Sequence, residues 1–177
     1  KDLTYDKNGN IKTLKRYGKT GTSSYGLMDN LSYVYKNTGN SNQLGRVTDS
    51  GLATGLSGVE QFVDGNTSGD DYSYDASGNL ERDLNKDITD ISYNHLNKPT
   101  EVEFFTGLKK ITYIYDAAGT KLRQKVFNLG GTSSTKETDY IGPFHYEDSD
   151  GDGTSESPEM LFFSHEEGRV RRAGEVL

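Results

Sequence analysis

The sequence has no cysteine, no tryptophan, three prolines and few large aliphatic residues. Without cysteine there are no disulfides, no thiolate metal sites and no cysteine nucleophile. The compartment stays open, because secreted proteins can also lack cysteine. Apolar residues make up 31% of the 177 positions, and the aromatics are 12 Tyr against 7 Phe. Leu, Ile, Val and Phe together are about a fifth of the chain, the edge of the range for disordered sequences. No apolar run approaches the roughly 20 residues that span a bilayer, and the first residues do not read as a signal peptide. Basic residues number 20 against 27 acids, for a formal net charge of -7. Phosphate contact needs concentrated Lys and Arg, so nucleic acid is not an expected partner. Thin apolar content predicts β-structure with one wet face, not a thick two-layer α/β core.

What is abundant is Gly, at 21 residues, and Tyr. The Tyr residues are placed regularly, which argues against disorder. Tyr5-Asp6 begins YDKNGNIKTL, Tyr74-Asp75 begins YDASGNLERDL, and Tyr115-Asp116 begins YDAAGTKLRQKV. Each reads Tyr-Asp, two small or polar residues, then Gly9, Gly78 or Gly119. Tyr93 opens a degenerate copy, YNHLNKPTEV, with Asn97 in the Gly place. Tyr35 opens another, YKNTGNSNQLGRV, with Gly39 and extra residues before Leu44. Self-similarity of this kind marks a repeat architecture.

The unit has a physical reading. Residues leading into each Tyr alternate, as in Leu31, Tyr33, Tyr35 and in Ile111, Tyr113, Tyr115, which is the period of a strand. The Asp can accept the N–H two residues on. The Gly can take positive φ and close a short hairpin loop, and Asn97 is the next best residue there. The chain then returns over Ile11 to Leu14, Leu80 to Leu84 and Leu122 to Phe127. The expected fold is therefore all-β: sequential antiparallel hairpins in a curved, spiralling sheet. Residues 1–177 read as a single repeat array, with an acidic hairpin loop inserted at 148–159. Residues 17–26, 37–71 and 128–136 are rich in turn formers and read as loops around short strands at Leu44 to Thr48 and Gln61 to Val63.

YDASGNLERDLNKDITDISYNHLNKPTEV and ITYIYDAAGTKLRQKV resemble the YD repeats of RHS-repeat proteins. FVDGNTSGDDYSYDASGNL, from Phe62, resembles the run-in of the Bacteroidetes type. DYIGPFHYE, from Asp139, and MLFFSHEEGRV, from Met160, resemble the stretch just upstream of that family's core segment. The likeness is strong over 72–177 and weaker over 1–71. It implies a sheet that spirals into a hollow shell around a toxin-like effector. It also implies a piece of a longer secreted or cell-surface protein without catalytic activity. The implied partners are further repeats of the same polypeptide, or other copies joined through the sheet edges. The competing reading is a binding module whose Tyr-rich face engages a glycan or a cell-surface protein. Recurrence at one repeat position favours Tyr packing between hairpins over a binding platform.

The sharpest local motif is DSDGDGTSESPE, which matches D-x-D-x-D-G-x5-E. Asp148, Asp150 and Asp152 present alternate carboxylates, the Thr154 carbonyl comes next, and Glu156 and Glu159 complete an oxygen cage suited to Ca²⁺. Its role would be structural, with affinity on the order of 10⁻⁴ to 10⁻³ M. The flanks read as strands, so this is no helix–loop–helix hand. The alternative is a solvated acidic hairpin tip. Without the six acids from Glu147 to Glu159 the net charge would be -1, so the chain is nearly neutral apart from one loop. Of the histidines, His95 reads as a turn residue and His145 as a cross-strand residue. His165 has only Glu166 and Glu167 beside it and no third partner, so no catalytic residue is expected.

Overall fold

The computed structural model describes residues 2–51, 58–105, 108–128, 134–148 and 158–171. The chain divides into two units, Lys1–Asp87 and Ile88–Leu177. In the first, β1 (Leu3–Tyr5), β2 (Ile11–Lys19), β3 (Tyr25–Tyr35) and β4 (Leu44–Asp49) pair in sequence order as an antiparallel sheet. A hairpin of β5 (Tyr72–Tyr74) and β6 (Leu80–Asp83) comes after it. In the second unit, β7 (Ile88–Tyr93), β8 (Pro99–Phe104), β9 (Lys109–Tyr115), β10 (Lys121–Asn128), β11 (Lys136–Ile141), β12 (Phe144–Asp148), β13 (Glu159–His165) and β14 (Gly168–Arg171) each pair with the next. The all-β expectation of sequential antiparallel hairpins holds. Only two single 3₁₀ turns, Asn37–Gly39 and Leu84–Lys86, interrupt it among the described residues.

Four repeat loops close in the same way. Asp6 Oδ1 accepts the N–H groups of Asn8 and Asn10, at 2.8 and 2.9 Å. Asp75 does the same for Ser77 and Asn79, Asp116 for Ala118 and Thr120, and the Asn94 side-chain oxygen for Leu96 and Lys98. The fourth loop residue, Gly9, Gly78 or Gly119, sits at φ of +83 to +87°, and Asn97 at +54°. Its N–H returns to the backbone carbonyl of the Asp or Asn. In the fifth loop the Lys36 side chain has no acceptor to offer. The loop there widens, with Asn37, Thr38 and Gly39 all at positive φ; the Gly39 N–H still returns to the Lys36 carbonyl, but the Lys36 N–H pairs with the more distant Gln43 carbonyl where the other loops pair with the residue four on.

The repeats are then tied to one another. The Tyr35 hydroxyl donates to the Ile11 carbonyl at 2.9 Å, Tyr74 to Leu44 at 3.1 Å, and Tyr115 to Pro99 at 3.0 Å. In every case the acceptor is the first residue of the strand returning from the preceding repeat loop. Desolvation raises the pKa of all three hydroxyls, so each stays protonated and able to donate.

Two loop expectations are corrected. Residues 17–26 are half strand: β2 runs through Gly18 to Lys19, and β3 begins at Tyr25, which leaves a loop at 20–24. Gly18 is tolerated there because Met28 fills the space beside it; an added Cβ would lie 2.9 Å from the Met28 sulfur. Conversely, Gln61 to Val63 is not a strand. The Phe62 N–H goes to a side-chain carboxylate of Asp29, at 3.0 Å, which a ladder partner would otherwise take.

Apolar burial is thin. The buried hydrophobic residues among those described are Met28, Leu31 and Val47, all in the first unit. The Tyr hydroxyls should therefore carry a measurable share of stability. Tyr35→Phe, Tyr74→Phe and Tyr115→Phe are each expected to cost about 1 kcal/mol in urea unfolding, the usual net worth of one such bond. Tyr5→Phe is the control: Tyr5 is 56% exposed and should change nothing.

Candidate functional site

Three groupings of side chains could carry function. The first is the base of the acidic loop. Asp148 ends β12 and Glu159 begins β13 on the adjacent strand, so the two ends of the proposed Ca²⁺ loop lie side by side. Asp150, Asp152, Thr154 and Glu156 lie outside the described residues. Acids face acids in the register: Glu147 is opposite Glu159, and Asp148 is opposite Glu137. Like charges placed so are mutually destabilising. Two lysines offset part of this, Lys136 at 2.5 Å from Glu147 and Lys125 at 2.5 Å from Glu137. Among the described residues no group of three or more His, Asp or Glu is arranged to hold a metal.

The second grouping is a row of rings and cations across β10 to β14. Lys121 Nζ lies 4.1 Å from the centroid of Tyr140. Tyr140 meets His145 edge-on at 5.0 Å, and His145 stacks on Phe162 at 4.1 Å. The Arg169 guanidinium covers Phe162 at 4.2 Å. The placement comes from register, since Tyr140 pairs with His145 and His145 with Phe162. Cation–π contacts thus cap the row at both ends. Desolvation first, then the positive charges of Arg169 and Lys121, lower the His145 pKa. The cross-strand reading of His145 holds. His95 is exposed in the Asn94–Lys98 turn. His165 Nδ1 accepts the Glu167 N–H at 3.2 Å, a local contact of the β13–β14 turn.

The third grouping escaped sequence reasoning. Asp29, Asp71 and Asp83 are the largest fully buried side chains described. Asp29 is bonded to Arg16 and to the Phe62 N–H, and Arg16 also reaches the Glu60 carbonyl at 2.7 Å. Asp71 Oδ2 accepts the Val47 N–H at 2.7 Å and Asn85 Nδ2 at 2.9 Å, while its Oδ1 takes Asn66 Nδ2 at 3.0 Å. Its backbone joins in as well, donating to Gly45 and accepting from Leu84. Asp71 thereby fastens the β5–β6 hairpin to β4. In sequence Asp71 sits at the end of a turn-rich segment, where carboxylates are ordinarily solvated, and nothing sets Asp29 or Asp83 apart from other aspartates. The one available signal was the doubled Asp70-Asp71 directly before a strand.

No protein-family model matches the sequence, and no curated protein matches it. No helix among the described residues is long and apolar enough to cross a membrane.

The pH response should show two steps of the same sign. His145 has a lowered folded pKa, so the unfolded chain binds the proton more readily. Its contribution is full above the ordinary value of 6.5 and is lost as pH falls through the folded value. Asp6, Asp75 and Asp116 are also held below their ordinary 3.8. For Asp6 desolvation opposes the shift, but bonds from the Asn10 side chain and from the Asn10, Asn8 and Gly9 N–H groups outweigh it. Asp75 is held down first by the Asn79 side chain, and Asp116 first by the Thr120 N–H. Their share is lost only in acid below 3.8. Thermal melts from about pH 7 to about pH 5 should show a falling midpoint in the wild type and a flat one in His145→Phe. Both should fall again below the carboxylate range.

Proposed function

We propose that the chain is a non-enzymatic structural segment of an RHS/YD-repeat protein, a stretch of secreted or cell-surface shell that encloses or scaffolds a toxin-like domain. The observation that supports this most is the recurrence of one device. The same side-chain-closed turn occurs four times, and the same Tyr-to-carbonyl bond between successive repeats occurs three times. A binding site has no need to recur at each repeat position, whereas packing does. Sheets built this way present open edges and weakly covered faces, which further repeats of the same polypeptide would cover. The decisive experiment is electron microscopy of the longer polypeptide, together with protease protection of its segment C-terminal to the repeats. A hollow particle with a protected C-terminal segment is the expected result. Saturable glycan-array binding that is lost on Tyr substitution, with no particle, would replace this reading with that of a carbohydrate- or protein-binding module.

The acidic loop supports a second, compatible role, as a structural Ca²⁺ site. The favouring observation is that Asp148 and Glu159, the first and last acids of the motif, stand at the end of β12 and the start of β13 on adjacent strands. Calorimetric titration should give heat at millimolar Ca²⁺, and Asp150→Ala should abolish it. Absence of heat in the wild type would leave the loop a solvated acidic tip.

A further inference from the structure

Two tyrosines of the first unit stand outside the packing that occupies the others. Tyr17 is 67% exposed and Tyr25 is 80% exposed, the highest values among the exposed large apolar side chains described. Neither lies at a repeat position. Neither side chain makes a hydrogen bond, a ring contact or a cation–π contact among the described residues. Three of the repeat tyrosines, by contrast, spend their hydroxyls on a neighbouring strand.

The ladder sets both rings on one face. Tyr17 pairs with Leu27 and Lys19 with Tyr25, and between them Gly18 pairs with Gly26. Successive residues point to opposite faces, so Tyr17, Lys19, Tyr25 and Leu27 share the outer face. The glycine pair looks inward, where buried Met28 lies against Gly18. Tyr17 and Tyr25 are diagonal neighbours on adjacent strands, within reach of one flat ligand. The tip beyond them is closed, with the Thr20 N–H donating to the Ser24 carbonyl at 3.0 Å.

The same face continues in polar residues. Two positions along β2 from Tyr17 is Lys15, opposite Asn30. Lys15 Nζ holds Asp2 Oδ2 at 3.1 Å, and Asn30 Nδ2 donates to the Ser50 hydroxyl at 2.7 Å. The second oxygen of Asp2, a side chain 63% exposed, remains as an acceptor beside this row. Beyond it the hydroxyls of Thr4, Thr13, Ser32 and Thr48 cross all four strands. Rows on one face follow each other at about 7 Å along a strand.

The class of ligand follows from what surrounds the rings. A stable protein interface needs about 800 Å² a side around a packed apolar core. The apolar part here is two rings and Leu27, and the rest of the face is hydroxyl, amide and ion-paired groups. A nucleic acid needs several unpaired cations. Lys15 is neutralised by Asp2, which leaves Lys19 beside the rings. A neutral pyranose fits both parts of the face. The C–H bonds of its flat side lie on a Tyr ring, and its hydroxyls exchange hydrogen bonds with polar groups at the edge. A linked second sugar reaches the Lys15–Asn30 row.

We propose that the outer face of the β2–β3 hairpin is a binding site for a neutral oligosaccharide, with Tyr17 and Tyr25 as its stacking platform and Asp2, Lys15 and Asn30 as its polar edge. The repeat tyrosines take no part, and the site is independent of whether the longer polypeptide forms a shell.

The test is a ¹H–¹⁵N NMR titration of the whole chain with cellohexaose, maltohexaose and the hexamer of N-acetylglucosamine. A proline decapeptide and a short oligothymidylate represent the rival classes. Saturable shifts at Lys15 to Lys19, Tyr25 to Leu27 and Asn30 are expected with at least one of the sugars in the millimolar range. Tyr17→Ala and Tyr25→Ala should each weaken that binding at least tenfold and leave the urea midpoint unchanged. Tyr25→Phe keeps the ring and should stay within about twofold of the wild type. Asn30→Ala should weaken binding severalfold, and Tyr5→Ala, an exposed ring at a repeat position, should not alter it. The proposal is overturned if no sugar gives saturable shifts at these residues. It is equally overturned if the decapeptide or the oligothymidylate binds there as tightly as the best sugar, or if binding is indifferent to Tyr17→Ala and Tyr25→Ala.

Discussion

Four of the tight loops described each turn on one side-chain oxygen that accepts two backbone N–H groups, and successive repeats are tied together by phenol hydroxyls. These bonds between side chain and backbone stand where apolar burial is scarce. An ordinary sheet hides one face in a hydrophobic layer. Here Met28, Leu31 and Val47 are the buried apolar residues described. A hydrogen bond is worth little singly, about 1 kcal/mol net. Repetition lets many of them act together. The regular spacing matters because it sets Tyr35, Tyr74 and Tyr115 each within reach of a carbonyl at the start of a returning strand.

The same constraint explains the buried carboxylates of the first unit. Irregular backbone carries N–H groups that no ladder satisfies, and burying them unpaired is costly. Asp29 and Asp71 supply acceptors to Phe62 and Val47, and Asn85 supplies one to Gly65 and Asn66. The chain from Glu60 to Asp71 is therefore held in place without becoming a strand. Asp83 stands apart, because half of its carboxylate is spent on Lys86 and half is not. A structural role accounts fully for Asp29 and Asp71 but leaves that oxygen over.

In the second unit the side chains at the far strands form a charged and aromatic lattice. Arg123 grips Asp139 through two nitrogens, Lys125 and Lys136 hold Glu137 and Glu147, and Lys121 and Arg169 cap the row through Tyr140, His145 and Phe162. These pairs lie across neighbouring strands and not along one. Their effect is to fix register over strands whose alternation of apolar and polar residues is weak.

The repeated hairpin was legible from residues alone, because its signals are local. Tyr, Asp and Gly at fixed offsets specify an alternating strand, an Asx turn and a positive φ within a few residues. Asn94 and Asn97 could stand in for Asp and Gly because they do the same chemistry. The acidic loop reads as a motif for the same reason, since the residues that match D-x-D-x-D-G-x5-E are contiguous. The bond from a Tyr hydroxyl to the preceding repeat depends on strand register, and no local spacing encodes it. Nor could the sequence separate Asp29, Asp71 and Asp83 from other aspartates. Whether a carboxylate is solvated or buried is decided by the chain that folds over it, here a loop more than thirty positions from Asp29. The cavity beside Asp83 belongs to that second kind: Gln61 to Val63, Tyr72 and Asp83 to Lys86 come from separate stretches of chain, and only tertiary structure brings them together.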